Sequence, residues 1–157
     1  MAPTKAACEE ACARNLPRDF NIKREQKEAV ISLLQGKDVM AVLPTGFGKS
    51  FIYQLYVLAR DSLTQSDSAI LVVSPLRSIM EDQVLELEER DMPAVILSPS
   101  LIELDKIETG NYKIVFGAAE EFINPNFQKA LKAGKLHNLT SLLVVDELSS
   151  HCSNMVR

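Results

Sequence analysis

The chain has 157 residues, 46% hydrophobic and 24% charged, with a formal net charge of −4. That length suffices for one domain with a sizeable core, and the composition is ordinary for a soluble globular protein. The acidic balance excludes a generally basic nucleic-acid binder, so any contact with DNA or RNA has to be local.

Residues 1–19 mix alanine with charge and predict a frayed helix or a loose tail. The opening Met1-Ala2-Pro3-Thr4-Lys5 lacks the apolar core of a secretory signal, and no apolar run approaches the ~20 residues needed to span a bilayer. Three cysteines and two histidines are too few and too scattered for a disulfide framework or a four-ligand zinc site. Cys8 and Cys12 lie four apart on one helix face and read as a small apolar pair in a reducing compartment.

From Ile22 to Leu34, apolar residues recur at helical spacing, and Gly36 supplies a stop. Lys23 and Gln26 are one turn apart there. A Gln amide both donates and accepts, which suits adenine N6 and N7, but a solvent-exposed Gln explains the residue equally well.

The apolar run Val39-Met40-Ala41-Val42-Leu43 predicts a strand, and Pro44-Thr45-Gly46-Phe47-Gly48-Lys49-Ser50 follows it. A strand, a Gly-rich turn and a helix opening onto the turn make a phosphate-binding loop. Gly46 and Gly48 permit positive φ and close approach to phosphate oxygens. Lys49 would reach the β- and γ-phosphates, and the Ser50 hydroxyl would ligate Mg²⁺. The strict pattern opens with glycine where this chain has Leu43. These residues predict a nucleoside triphosphate site.

Phe51 to Leu58 predicts a buried helix, residues 64–68 a polar loop, and Ala69-Ile70-Leu71-Val72-Val73 a parallel strand covered on both faces. Ser74 as N-cap and Pro75 at the first helical position predict a helix from Pro75 to about Arg90, with Leu76, Met80, Val84 and Leu87 as its apolar stripe. Strands follow at 94–97 and 113–116, with a short helix over 101–108 between them. Residues 120–133 predict a helix restarted at Asn124-Pro125. A last strand, 141–145, delivers Asp146-Glu147 at its carboxyl end. In open parallel sheets ligands lie beyond that edge, where an Asp can hold Mg²⁺ and a Glu can polarise the attacking water.

With these residues in view, the chain resembles the first RecA-like domain of a RecQ-family DNA helicase of superfamily 2. The most specific stretch is Ser74-Pro75-Leu76-Arg77-Ser78-Ile79-Met80-Glu81-Asp82-Gln83-Val84. It is similar, nearly residue for residue, to that family's Ser-Pro-Leu-x-Ser-Leu-Met-x-Asp-Gln-Val block. Pro44–Ser50 with Tyr53-Gln54-Leu55 resembles the family's nucleotide loop and following helix, and that loop does not need the early glycine. Gln26 falls where the family has its adenine-reading Gln, with Lys23 where an Arg is usual, and Asp146-Glu147 matches the start of its Asp-Glu-x-His box. The resemblance covers about residues 20–148.

It implies a three-layer α/β, RecA-like P-loop domain with a mainly parallel sheet over 20–157, incomplete at its C-terminal end. It further implies ATP and Mg²⁺ as cofactors. Lys23, Gln26, Thr45, Gly46, Phe47, Gly48, Lys49 and Ser50 would bind the nucleotide, Ser50 and Asp146 the metal, and Lys49, Asp146 and Glu147 would serve catalysis. Ser74, Arg77 and Ser78 would touch the DNA backbone at a helix N-terminus without reading sequence. The implied activity is 3′-to-5′ ATP-dependent DNA unwinding, in the nucleus or in a prokaryotic cytoplasm, with no membrane involvement.

Three departures accompany the resemblance. The box's His position is Ser149, with His151 two residues later, and Ala119-Glu120 stands where Pro-Glu is common. The sequence stops at Arg157, before any counterpart of the second RecA-like domain with its arginine finger. A truncated or decayed copy is therefore expected, and a non-catalytic nucleotide-binding module or another superfamily 2 helicase acting on RNA are the alternative readings.

Overall fold

The computed structural model describes residues 2–44, 46–98, 101–109, 111–146 and 154–156. It divides into two compact units, Met1–Ser68 with Ser153–Arg157, and Ala69–Cys152.

In the first unit, residues 3–15 form a 13-residue helix, α1 (Pro3–Asn15), with Pro3 at its first position. Its buried residues Ala7, Cys8 and Ala11 form a small-residue stripe at helical spacing. Small side chains there let α1 approach α3 (Lys49–Thr64) closely, and Ser62 of α3 donates to Glu10 at 2.5 Å. Helix α2 (Arg24–Leu34) buries Ala29, Val30, Leu33 and Leu34 on one face. It ends in a Schellman motif, where Gly36 at φ +77 lets the Lys37 and Gly36 amides return to Ser32 and Leu33 oxygens. Strand β1 (Val39–Ala41) is shorter than the run 39–43 suggested, and it pairs antiparallel with β6 (Asn154–Val156), a strand the sequence pattern did not announce.

The second unit is a four-stranded parallel sheet in the order β5-β2-β4-β3, built from β2 (Ala69–Val73), β3 (Ala94–Ile96), β4 (Ile114–Gly117) and β5 (Thr140–Val145). The expected mixed α/β architecture with a mainly parallel sheet is present. Leu71 pairs with Val115 on one side and Leu143 on the other. The near-continuous apolar run of β2 follows from its central place, since both faces of a parallel strand are covered. Side chains alternate, so Ala69, Leu71 and Val115 share one face with Leu97, Ile107, Phe127 and Leu136, while Ile70, Val72, Ile114 and Phe116 point the other way.

Four helices of this unit follow the predicted outline: α4 (Arg77–Glu89), α5 (Leu101–Thr109), α6 (Ala119–Phe122) and α7 (Pro125–Ala133). Asn124 caps α7, its Oδ1 accepting from the Asn126 amide at 2.9 Å, which explains the restart at Asn124-Pro125. A further one-turn helix, α8 (Leu136–Leu139), leads into β5. Helix α4 starts at Arg77 and not at Pro75. The Ser74 amide donates to Gly117 O at 2.9 Å, so the sheet edge extends one residue and Ser74 does not serve as N-cap. Among the described residues, no helix is long and apolar enough to cross a membrane.

Candidate nucleotide site

The loop after β1 turns on two glycines. The Phe47 amide donates to Pro44 O at 3.2 Å, closing a four-residue turn whose third residue, Gly46, sits at φ +79. Gly48 follows at φ +89 and is the residue from which α3 departs. Lys49 and Ser50 are then the first two helical residues, both half-buried. The first amides of a helix have no intrahelical acceptor, and the helix dipole adds positive potential there. A helix N-terminus of this kind suits an anion, and an ammonium-bearing and a hydroxyl-bearing residue open it.

The loop is also held from behind. Lys23 Nζ donates to Phe47 O at 2.8 Å and lies 4.0 Å from the centre of the Phe47 ring, a cation–π contact. Gln26, only 3% exposed, donates from Nε2 to Gly48 O at 2.9 Å and to Phe47 O at 3.3 Å. Its Oε1 accepts from the Lys23 amide at 3.0 Å. The surface reading of Gln26 is therefore set aside: the side chain is buried and engaged with the loop. Both its amide protons are directed at loop carbonyls, so pairing with adenine requires exchanging at least one of them.

Gly48 is tightly specified by this arrangement. A Cβ there would come within 2.7 Å of Gln26 Nε2. Gly48→Ala is expected to lose roughly 1–2 kcal/mol from the left-handed backbone alone, with displacement of Gln26 added. Thermal unfolding of the variant checks it, and a melting temperature equal to the parent's would contradict this geometry.

In the second unit, Asp146 emerges at the carboxyl end of β5, half-buried, with its amide donating to Val73 O at 2.8 Å. With the Ser74–Gly117 bond, this ties the ends of β5, β2 and β4 into one edge. Ser74 is 2% exposed, and its Oγ finds no hydrogen-bond partner among the described residues. Arg77 and Ser78 are exposed in the first turn of α4, where Arg77 Nε pairs with Glu81 at 3.2 Å. Thr45, Glu147 and His151 lie outside the described residues. Among the described residues, no three His, Cys, Asp or Glu side chains gather as a metal cage.

The sequence brought Lys23 and Gln26 forward by their helical spacing and by the resemblance. What it missed is their shared target, the carbonyls of Phe47 and Gly48, because a backbone acceptor leaves no mark in the sequence.

The DEAD/DEAH box helicase family model matches residues 23–155. The chain is 34% identical over 139 residues to the "Probable ATP-dependent DNA helicase RecS" of Bacillus subtilis, covering 84% of this chain and 25% of that protein. It is 30% identical over 138 residues to the "ATP-dependent DNA helicase RecQ" of Haemophilus influenzae, covering 84% and 20%. With the "ATP-dependent helicase wrn-1" of Caenorhabditis elegans it shares 34% over 134 residues, covering 83% and 12%. The chain spans a quarter or less of the length of these relatives. A family match over this much of the chain, including its strand–loop–helix, leads to one conclusion: the chain belongs to the DEAD/DEAH box helicase family.

Proposed function

We propose that this chain is the ATP-binding part of a RecQ-like 3′-to-5′ DNA helicase, coupling ATP hydrolysis to movement along DNA in the nucleus, or in the cytoplasm of a prokaryote. The observation that carries the nucleotide reading is the loop from Pro44 to Ser50, with Gly48 in the left-handed region and Lys49 and Ser50 opening α3. Gly46, Gly48 and, by the motif, Thr45 would offer backbone amides to the phosphates, and Phe47, whose amide is bonded to Pro44 O, would join them on giving up that bond. Lys49 supplies a charge that moves with the β- and γ-phosphates. Lys23 and Gln26 hold the loop in shape.

Magnesium is held by one or two protein oxygens together with phosphate oxygens and water. The Ser50 hydroxyl and the Asp146 carboxylate are oxygens of that kind, and both residues are partly exposed. When bound, the ion would neutralise charge developing on the transferred phosphoryl group. Glu147, by its place in the motif, would orient the attacking water.

DNA enters through α4. Arg77 and Ser78 are exposed at the start of a 13-residue helix, where amides and a guanidinium suit a backbone phosphate. The Arg77–Glu81 pair is exposed on both sides, and such pairs contribute only about 0–1 kcal/mol, so a phosphate can displace it. Ser74, being enclosed, would shape this turn through its backbone bond to Gly117.

Titration with a fluorescent ATP analogue and Mg²⁺ tests the nucleotide reading, and absence of saturable binding would overturn it. Gln26→Ala sharpens the test. Removing the amide frees the Phe47 and Gly48 carbonyls, so affinity for both ATP and GTP is expected to fall, by roughly 0.5–1.5 kcal/mol per lost bond. Competition titrations with both nucleotides separate this from base reading, in which ATP alone would weaken.

A further inference from the structure

A pocket of about 190 Å³ lies beyond the carboxyl ends of β3 and β4, and neither the nucleotide nor the DNA reading uses it. Its floor is apolar, made by Leu97 after β3, Leu104 of α5 and Phe127 of α7. Its rim carries Glu120 and Glu121 of α6 and Asn124, the cap of α7. All six residues belong to the second unit, and no lysine or arginine lines the pocket.

Local structure fixes each wall. Glu121 Oε2 accepts from the Ala118 amide at 2.9 Å, which holds its carboxylate over the start of α6. A Cβ at Gly117 would lie 3.0 Å from Leu97 Cδ1 and 3.1 Å from Glu121 Oε2. A carboxylate and an apolar side chain thus converge over one glycine. The Phe127 ring meets Phe122 edge-on, with centroids 5.5 Å apart, so the floor is held as well. Among the described residues Glu120 has no ion-pair partner, and Glu121 accepts only the Ala118 amide. Next to Asn124 in the chain, Ile123 is 71% exposed.

The geometry points to an anchor pocket for an arginine side chain of a protein partner, with Ile123 receiving an apolar neighbour of that arginine. Sites for whole small molecules run to about 300–1,000 Å³, so a space of this size suits one side chain. Arginine matches its division into floor and rim. The methylene stem covers apolar surface, while the planar guanidinium pairs with carboxylate oxygens two at a time. Arginine is also enriched among the residues that anchor interfaces from within pockets. Two carboxylates repel a phosphate, which disfavours nucleic acid as the occupant. A divalent metal ion would find no oxygen on the floor.

The experiment titrates the whole isotope-labelled chain with the peptide acetyl-Leu-Arg-Leu-amide and follows the amide NMR shifts. Control peptides carry citrulline, the uncharged isostere of arginine, or lysine in its place. Saturable shifts are expected over residues 117–127, with the arginine peptide bound roughly tenfold or more tighter than the citrulline peptide. The lysine peptide should fall between them, since its ammonium cannot pair in bidentate fashion. Added salt should weaken the arginine peptide most. Glu120→Gln combined with Glu121→Gln should erase the preference for arginine over citrulline. Glutamine at 121 can still accept from the Ala118 amide, so the melting temperature should stay at the parent value. Equal affinity for the arginine and citrulline peptides, or no saturable binding of either, overturns the proposal. So do shifts centred on the acidic face of α4, or the same shifts produced by a single-stranded oligothymidylate.

Discussion

Lys49→Ala is expected to weaken Mg·ATP binding roughly 10- to 150-fold, the equivalent of losing a charge-assisted contact of about 1.5–3 kcal/mol. The position makes the measurement clean. Lys49 is the first residue of a 16-residue helix, Ala is the best helix former, and among the described residues the lysine takes part in no ion pair. The fold should therefore survive while the charge is lost. A dependence on phosphate number is expected as well. The loss should be large for ATP, smaller for ADP and near zero for AMP, because the ammonium addresses the outer phosphates. Titration with a fluorescent ATP analogue, competed with each nucleotide, reads all three. Equal ATP affinity in parent and variant would remove Lys49 from the site.

Phe116→Ala is the second large effect, and it falls on stability. Phe116 is 1% exposed on β4, in register with Val72 of β2 and Ile96 of β3. Truncating a buried phenylalanine removes its transfer free energy and leaves a cavity that packed neighbours refill only partly. The expected loss is roughly 3–5 kcal/mol, a large share of the about 5–15 kcal/mol that holds a typical domain. Urea unfolding should show a lower midpoint at unchanged slope. Leu85→Ala provides the contrast: Leu85 is 62% exposed on α4, and its removal should stay within about 0.5 kcal/mol. A Phe116→Ala midpoint as close to the parent as that would contradict the packing.

The sheet of the second unit was legible because its strands are apolar runs bounded by breakers. Ala69–Val73 and Ile114–Phe116 carry that signature, and their interior position in a parallel sheet is its cause. Strand β6 was not legible, since Asn154-Met155-Val156 is too short to show a period and gains its hydrogen bonds from a partner over a hundred residues away. The start of α4 was misplaced for a related reason. Ser-Pro is a good local helix opening, but the Gly117 carbonyl, remote in sequence, claims the Ser74 amide. In the candidate site the side chains that face a ligand could be named from the motif, while the bonds from Lys23 and Gln26 into the loop could not. They join α2 to residues more than twenty positions away through main-chain oxygens.

Those bonds have a consequence for binding thermodynamics. A glycine-containing loop left to itself samples many conformations, and fixing one residue's backbone costs about 1–2 kcal/mol in entropy. Here two carbonyls of the loop are already fastened to α2, and the Phe47 ring is clamped beneath an ammonium. The ordering is thus completed when the chain folds, so a triphosphate bound as proposed would meet a loop already fixed in shape. Preorganisation of this kind raises affinity without adding a single contact to the ligand. It should also show as a smaller entropic penalty on nucleotide binding than in a chain lacking the Lys23 and Gln26 side chains.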